Sequence, residues 1–138
     1  MNRGVGLLCL VFLSILSCME VKEDKPDHYW IGVNVMATAY NSLPTQTHGH
    51  PNIAAWGDTL IPGNKVIAVS RDLLGMGLER NTMVRITGFP DTFYIKDKMH
   101  RKWKRRIDIY MGEDYEKAKQ WGRRKVCMEY AVGINDLD

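Results

Sequence analysis

The sequence predicts a mainly β domain, a closed barrel of six short strands with one short helix before the last strand. Three observations point there. Five runs alternate apolar and polar residues, the pattern of a strand with one buried face, and a sixth, Lys65 to Ser70, is a short apolar run. Gly, Pro, Asn and Asp gather between those runs, where turns are needed. Only one stretch, 113–121, carries both the start and the stop signals of a helix. Closure of such a set of short strands removes the unpaired edges that an open sheet would leave.

The elements follow in order. Tyr29 to Tyr40 is β-like through Trp30, Ile31, Val33, Val35 and Ala37. Residues 41–64 are rich in Asn, Pro, Thr, His and Gly, hold only the small apolar patch Ile53-Ala54-Ala55-Trp56, and read as a long functional loop. Lys65 to Ser70 is a short buried strand, and Arg71 to Gly77 a turn or a single helical turn. Thr82 to Thr87 and Thr92 to Lys96 form a hairpin about Gly88-Phe89-Pro90-Asp91. Arg106 to Met111 is a strand with Ile107 and Ile109 on one face, Asp108 and Tyr110 on the other. Acids at Glu113, Asp114 and Glu116 suit the positive start of a helix that Gly122 ends. Arg124 to Val132 is the last strand, with Val126, Met128 and Tyr130.

The N-terminal residues stand apart from this domain. Arg3 precedes an apolar run from Leu7 to Leu16 that is too short to span a bilayer as a helix, the mark of a signal peptide. Its end, Ile15-Leu16-Ser17-Cys18, resembles a bacterial lipobox, with Cys18 as the expected lipidation site. Lipidation there would anchor an exported protein to a membrane of the cell envelope. The expected organisation is a signal peptide over 1–18, a charged tether over 19–28 and one domain over 29–138. Removing the leader takes away only Arg3, so a net charge of +3 becomes +2. That balance singles out no partner. Cys127 is then the only thiol besides Cys18, which excludes a disulfide inside the domain, and its apolar, alternating surroundings read as those of a small buried residue.

The chemistry concentrates in Asp97-Lys-Met-His-Arg-Lys-Trp-Lys-Arg-Arg-Ile-Asp108. A strand-loop-strand with a carboxylate at each shoulder can set both acids beside one groove, as acid chemistry on a sugar requires. The spacing alone favours two turn acids at strand ends. The basic residues between Lys96 and Arg106 read as a solvated loop, or as an attraction for an anionic glycan. Nucleic acid is set aside as a partner, since an exported lipoprotein rarely meets it. His48, His50 and His100 are nitrogens of the type that zinc takes, but nothing in their spacing fixes a site, so no metal and no cofactor is expected. Trp56 and Trp121 read as core.

Several of these segments resemble the bacterial three-aspartate (3D) domain. They are Thr38-Ala39-Tyr40, Ala55-Trp56-Gly57, the run from Val66 to Leu74, the pair Asp97 and Ile107-Asp108-Ile109-Tyr110, and Ala118 to Val126 with Trp121-Gly122-Arg123-Arg124. The family is similar to the C-terminal part of membrane-bound lytic transglycosylase A and to stationary-phase survival proteins. The resemblance implies a double-psi β-barrel. It also implies cleavage of the peptidoglycan glycan strand between N-acetylmuramic acid and N-acetylglucosamine, leaving a 1,6-anhydro end. It makes Asp108 the acid/base, whose apolar neighbours would raise its pKa, and Asp97 its partner. Thr38 and Tyr40 become candidates for binding the sugar, and Trp103 for stacking on it. The pattern is departed from at Ser70, where the family has an aspartate; Asp72 is the nearest acid and a further candidate for substrate binding. It is also departed from between Lys98 and Arg106, where the family has a glycine-rich run. A monomer is expected. The competing class is a non-catalytic glycan-binding module on the same barrel.

Overall fold

The longest alternation in the chain makes the longest strand. β1 (His28–Tyr40) buries Val33, Val35 and Ala37 and turns Asn34, Met36 and Thr38 to its other face. The structure, a computed structural model, describes residues 27–42 and 52–134. The signal peptide, Cys18 and nearly all of the tether lie outside the described residues, as do His48 and His50.

After β1 come β2 (Val66–Val69), α1 (Arg71–Leu74), β3 (Met83–Ile86), β4 (Thr92–Lys98), β5 (Arg106–Tyr110), α2 (Tyr115–Trp121) and β6 (Arg124–Gly133). The strands close into a barrel in the order β1-β5-β2-β4-β3-β6. β1/β5 and β2/β4 run parallel, and the other four seams are antiparallel. Inward-facing side chains from every strand fill the interior, among them Ile67, Ile95, Ile107, Ile109, Val84 and Met128. Half-buried Trp56 and Trp121 pack against that core. Among the described residues no helix is long and apolar enough to cross a membrane.

The local chemistry sets the ends of α2. Asp114 is its N-cap and accepts a hydrogen bond from the Lys117 N–H at 2.9 Å, so the helix begins at Tyr115 and Glu113 stands ahead of it. Gly122, at φ 64°, takes the left-handed backbone that ends it. Cys127 differs from the sequence expectation. Val126, Met128 and Tyr130 take the inward positions of β6, so the two-residue period turns Cys127 outward, where it is exposed.

Two features position the site. The loop before β2 folds back on itself through an Ile53–Thr59 bridge, and it buries Ala54 and Leu60 in a second small cluster with Val66 and Tyr110. The β2/β4 seam carries a register shift: Ile67 lies opposite Ile95, but Ala68 lies opposite Asp97. Lys96 is the extra residue. Without that bulge Lys96 would stand beside Ala68, and Asp97 would take the next position along.

Candidate active site

Four adjacent strands set three polar residues and one alanine in one row on the outer face of the barrel. Thr38 of β1 is in register with Asp108 of β5, Asp108 with Ala68 of β2, and Ala68 with Asp97 of β4. Neighbouring strands are about 4.8 Å apart, so the two aspartate backbones are separated by two such steps, about 10 Å. Between them Ala68 contributes only a methyl group.

Asp108 projects opposite to Ile107 and Ile109, which are fully buried. Burial pushes its carboxyl up to about 6, and the nearby Asp97 charge pushes the same way. The Thr38 hydroxyl, which donates to Oδ1 at 2.9 Å, and the Arg106 charge act against that rise without cancelling it. Among the described residues no lysine or arginine makes an ion pair with Asp108 or Asp97. Arg106 lies two positions before Asp108 on the same face of β5, but its guanidinium stacks on the Trp103 ring at 3.9 Å.

Asp97 is held through a single oxygen. Its Oδ1 accepts the N–H of Ala55 at 2.7 Å and that of Lys98 at 2.8 Å. The first bond ties the folded-back loop to the row. The same loop is fixed at Asp58, whose two oxygens each accept an Arg80 N–H at 2.9 Å. These bonds, with Lys96 beside them, hold the Asp58 carboxyl below its ordinary value.

Tyr40 continues the outer face of β1 two residues beyond Thr38. Its ring lies 5.4 Å from that of Tyr110. Burial first, then the Asp97 and Asp108 charges, drive its phenol pKa upward, so the group stays a neutral donor. Its buried hydroxyl has no hydrogen-bond partner among the described residues. The Tyr110 hydroxyl, by contrast, bonds Ser42 Oγ at 2.9 Å.

Thr38, Tyr40, Asp97 and Asp108 are thus brought together; two further candidates stand off. Two cations, Lys102 and Arg106, lie over the Trp103 indole. Asp72 sits in the first turn of α1, where its Oδ2 accepts the Arg105 N–H at 2.9 Å. Burial opposes its charge, but hydrogen bonds from Ser70 and from the Arg105 and Asp72 backbone outweigh that and lower its pKa. Ser70 exchanges bonds with Arg106: its N–H donates to the Arg106 carbonyl, and its hydroxyl accepts the Arg106 N–H. These two residues fasten the start of β5. No cluster of three metal-ligating side chains occurs among the described residues, and His100 accepts the Lys102 N–H through Nδ1 at 3.2 Å.

Sequence reasoning gave Ala55 and Ala68 no role and met Arg106 only as one cation of the basic run. The two-residue period from Asp108 is a signal for Arg106, and a lone small residue in Val66-Ile67-Ala68-Val69 is one for Ala68. Ala55 acts through its backbone, which no side-chain pattern reveals. No protein-family model matches the chain, and no curated protein matches it.

Proposed function

We propose that this chain is a lytic transglycosylase of the bacterial cell envelope, acting on peptidoglycan through Asp108. The observation that carries the reading is the Asp108 carboxyl: it is partly buried, raised to about 6, bonded by Thr38 and in no ion pair with a described basic residue. A carboxyl of that kind can hold a proton near neutral pH and release it to a leaving oxygen.

In the proposed reaction Asp108 gives its proton to the glycosidic oxygen as the bond from that oxygen to C1 breaks. The C6 hydroxyl of the same N-acetylmuramic acid attacks C1, and the Asp108 carboxylate takes the hydroxyl proton. The 1,6-anhydro ring closes, and Asp108 returns to its starting state. Neither water nor a cofactor is consumed, unlike hydrolysis by two carboxyl groups. Asp97 faces the positive charge that develops at C1. Tyr40 offers a neutral O–H donor to the sugar beside Asp108. We read the barrel as double-psi, on the support of its two parallel seams flanking the antiparallel β2/β5 seam. Export and anchoring at Cys18 belong to the same reading.

Incubation of purified sacculi with the protein, followed by mass analysis of the released muropeptides, tests it. Anhydro ends from the wild type and none from Asp108→Asn support the reading. Reducing ends would make the chain a hydrolase. Binding to sacculi without any release would leave a glycan-binding module.

A further inference from the structure

A group of three cations without ion pairs among the described residues lies at one cavity, Lys104, Arg105 and Lys125. A cavity of about 570 Å³ opens on the outer surface over the β1/β6 seam, beside the end of the β4–β5 loop. Met36 gives it an apolar side chain, Val35 and Val126 line it while their side chains point into the core, and Lys104, Arg105 and Lys125 form its charged rim. No carboxylate lines it, and none of the three cations makes an ion pair among the described residues.

Arg105 is set in place in an unusual way. Its backbone is left-handed, at φ 44°, a conformation that costs a bulky residue energy unless its surroundings enforce it. Here both sides of the residue are fastened. Its N–H donates to Asp72 Oδ2, and its carbonyl accepts the Met36 N–H at 2.9 Å. Its guanidinium is steadied by one bond to the Asn34 carbonyl at 3.3 Å. Asp72 therefore engages the backbone of Arg105 and not its guanidinium, although Lys104 is close enough to help lower the Asp72 pKa.

We infer that this cavity is a binding site for a short peptide carrying two separated carboxylates. The volume is that of a site for a small organic molecule and is much larger than a single inorganic anion needs. The cations come from two walls, Lys104 and Arg105 from the loop and Lys125 from β6, so they suit two anionic groups set apart. The outward Met36 side chain, opposite Lys125, offers an apolar contact to the body of the peptide. Arginine held in a fixed pose is suited to grip a carboxylate through two parallel N–H bonds. The inference is separate from the Asp108 chemistry: it needs no glycan cleavage and survives if that reaction fails.

Cys127 lines the same cavity and is exposed, which supplies a reporter. The full chain is alkylated with a maleimide, and the labelling rate at Cys127 is read by peptide mapping. Three probes are compared: a glutamyl tripeptide with free carboxylates, the same tripeptide with every carboxylate amidated, and inorganic phosphate. The free tripeptide should slow labelling at least threefold, and the amidated one should leave it unchanged. Lys125→Glu, an exposed site with no described ion pair, should abolish the protection when each protein is compared with itself without peptide. Absence of protection by the free tripeptide would overturn the proposal. So would equal protection by the amidated form, or by phosphate.

Discussion

At the residue scale, one hydroxyl and the burial of the carboxyl pull Asp108 in opposite directions. Burial favours the neutral acid, and the Thr38 bond favours the carboxylate. Thr38→Val keeps the volume and removes the bond, so the alkaline limb of the pH–activity profile should move to higher pH; an unmoved limb would detach Thr38 from Asp108. The same imbalance reaches stability. The folded value of about 6 exceeds the ordinary value of 3.8, so the fold favours the protonated side chain. Its contribution is whole below pH 3.8 and is lost as pH rises through about 6. Asp108→Asn should therefore raise stability by about 2–3 kcal/mol at pH 8 and leave it nearly unchanged at pH 3.5, as read by urea unfolding at the two pH values. Equal effects at both would show that the side chain is not strained by its charge.

At the element scale, a bulge and a folded-back loop decide which acids meet. The extra residue in β4 puts Asp97, and not Lys96, opposite Ala68, so a cation is kept out of the row. The loop then clamps Asp97 through the Ala55 N–H and is itself clamped by Arg80 on Asp58. Arg80→Ala should speed amide exchange at Ala55 while exchange at Val84 and Tyr130 stays slow, since those residues lie in the β3/β6 seam. Uniform acceleration would mean that Arg80 supports the whole barrel. Most strands were legible because each one alternates: Val33, Val35 and Ala37 in β1, Ile107 and Ile109 in β5. The bulge was not, because Lys96 and Asp97 are both polar and periodicity does not distinguish them. Cys127 was read as buried because it lies among Val126, Met128 and Tyr130, the residues that take the inward positions.

At the scale of the whole molecule, closure brings distant segments to one place. Thr38 and Asp108 are 70 residues apart in the chain and hydrogen-bonded in the fold. β1 is the hinge of this arrangement, paired with β6 along ten register positions and with β5 along five. A mainly β closed barrel could be read from the count of short strands; the order β1-β5-β2-β4-β3-β6 could not, because pairing between remote strands leaves no local mark. The outer face of β1 joins the two regions of chemistry, with Met36 at the basic cavity and Thr38 and Tyr40 at the acid pair. The account rests on the barrel holding the Asp108 carboxyl in a place where losing its proton is costly. Carbon-13 NMR titration of the side-chain carboxyls, with Asp108 assigned by its disappearance in Asp108→Asn, measures that directly. A midpoint near 6 is the predicted result; a midpoint near 4, the ordinary carboxylate value, would contradict it.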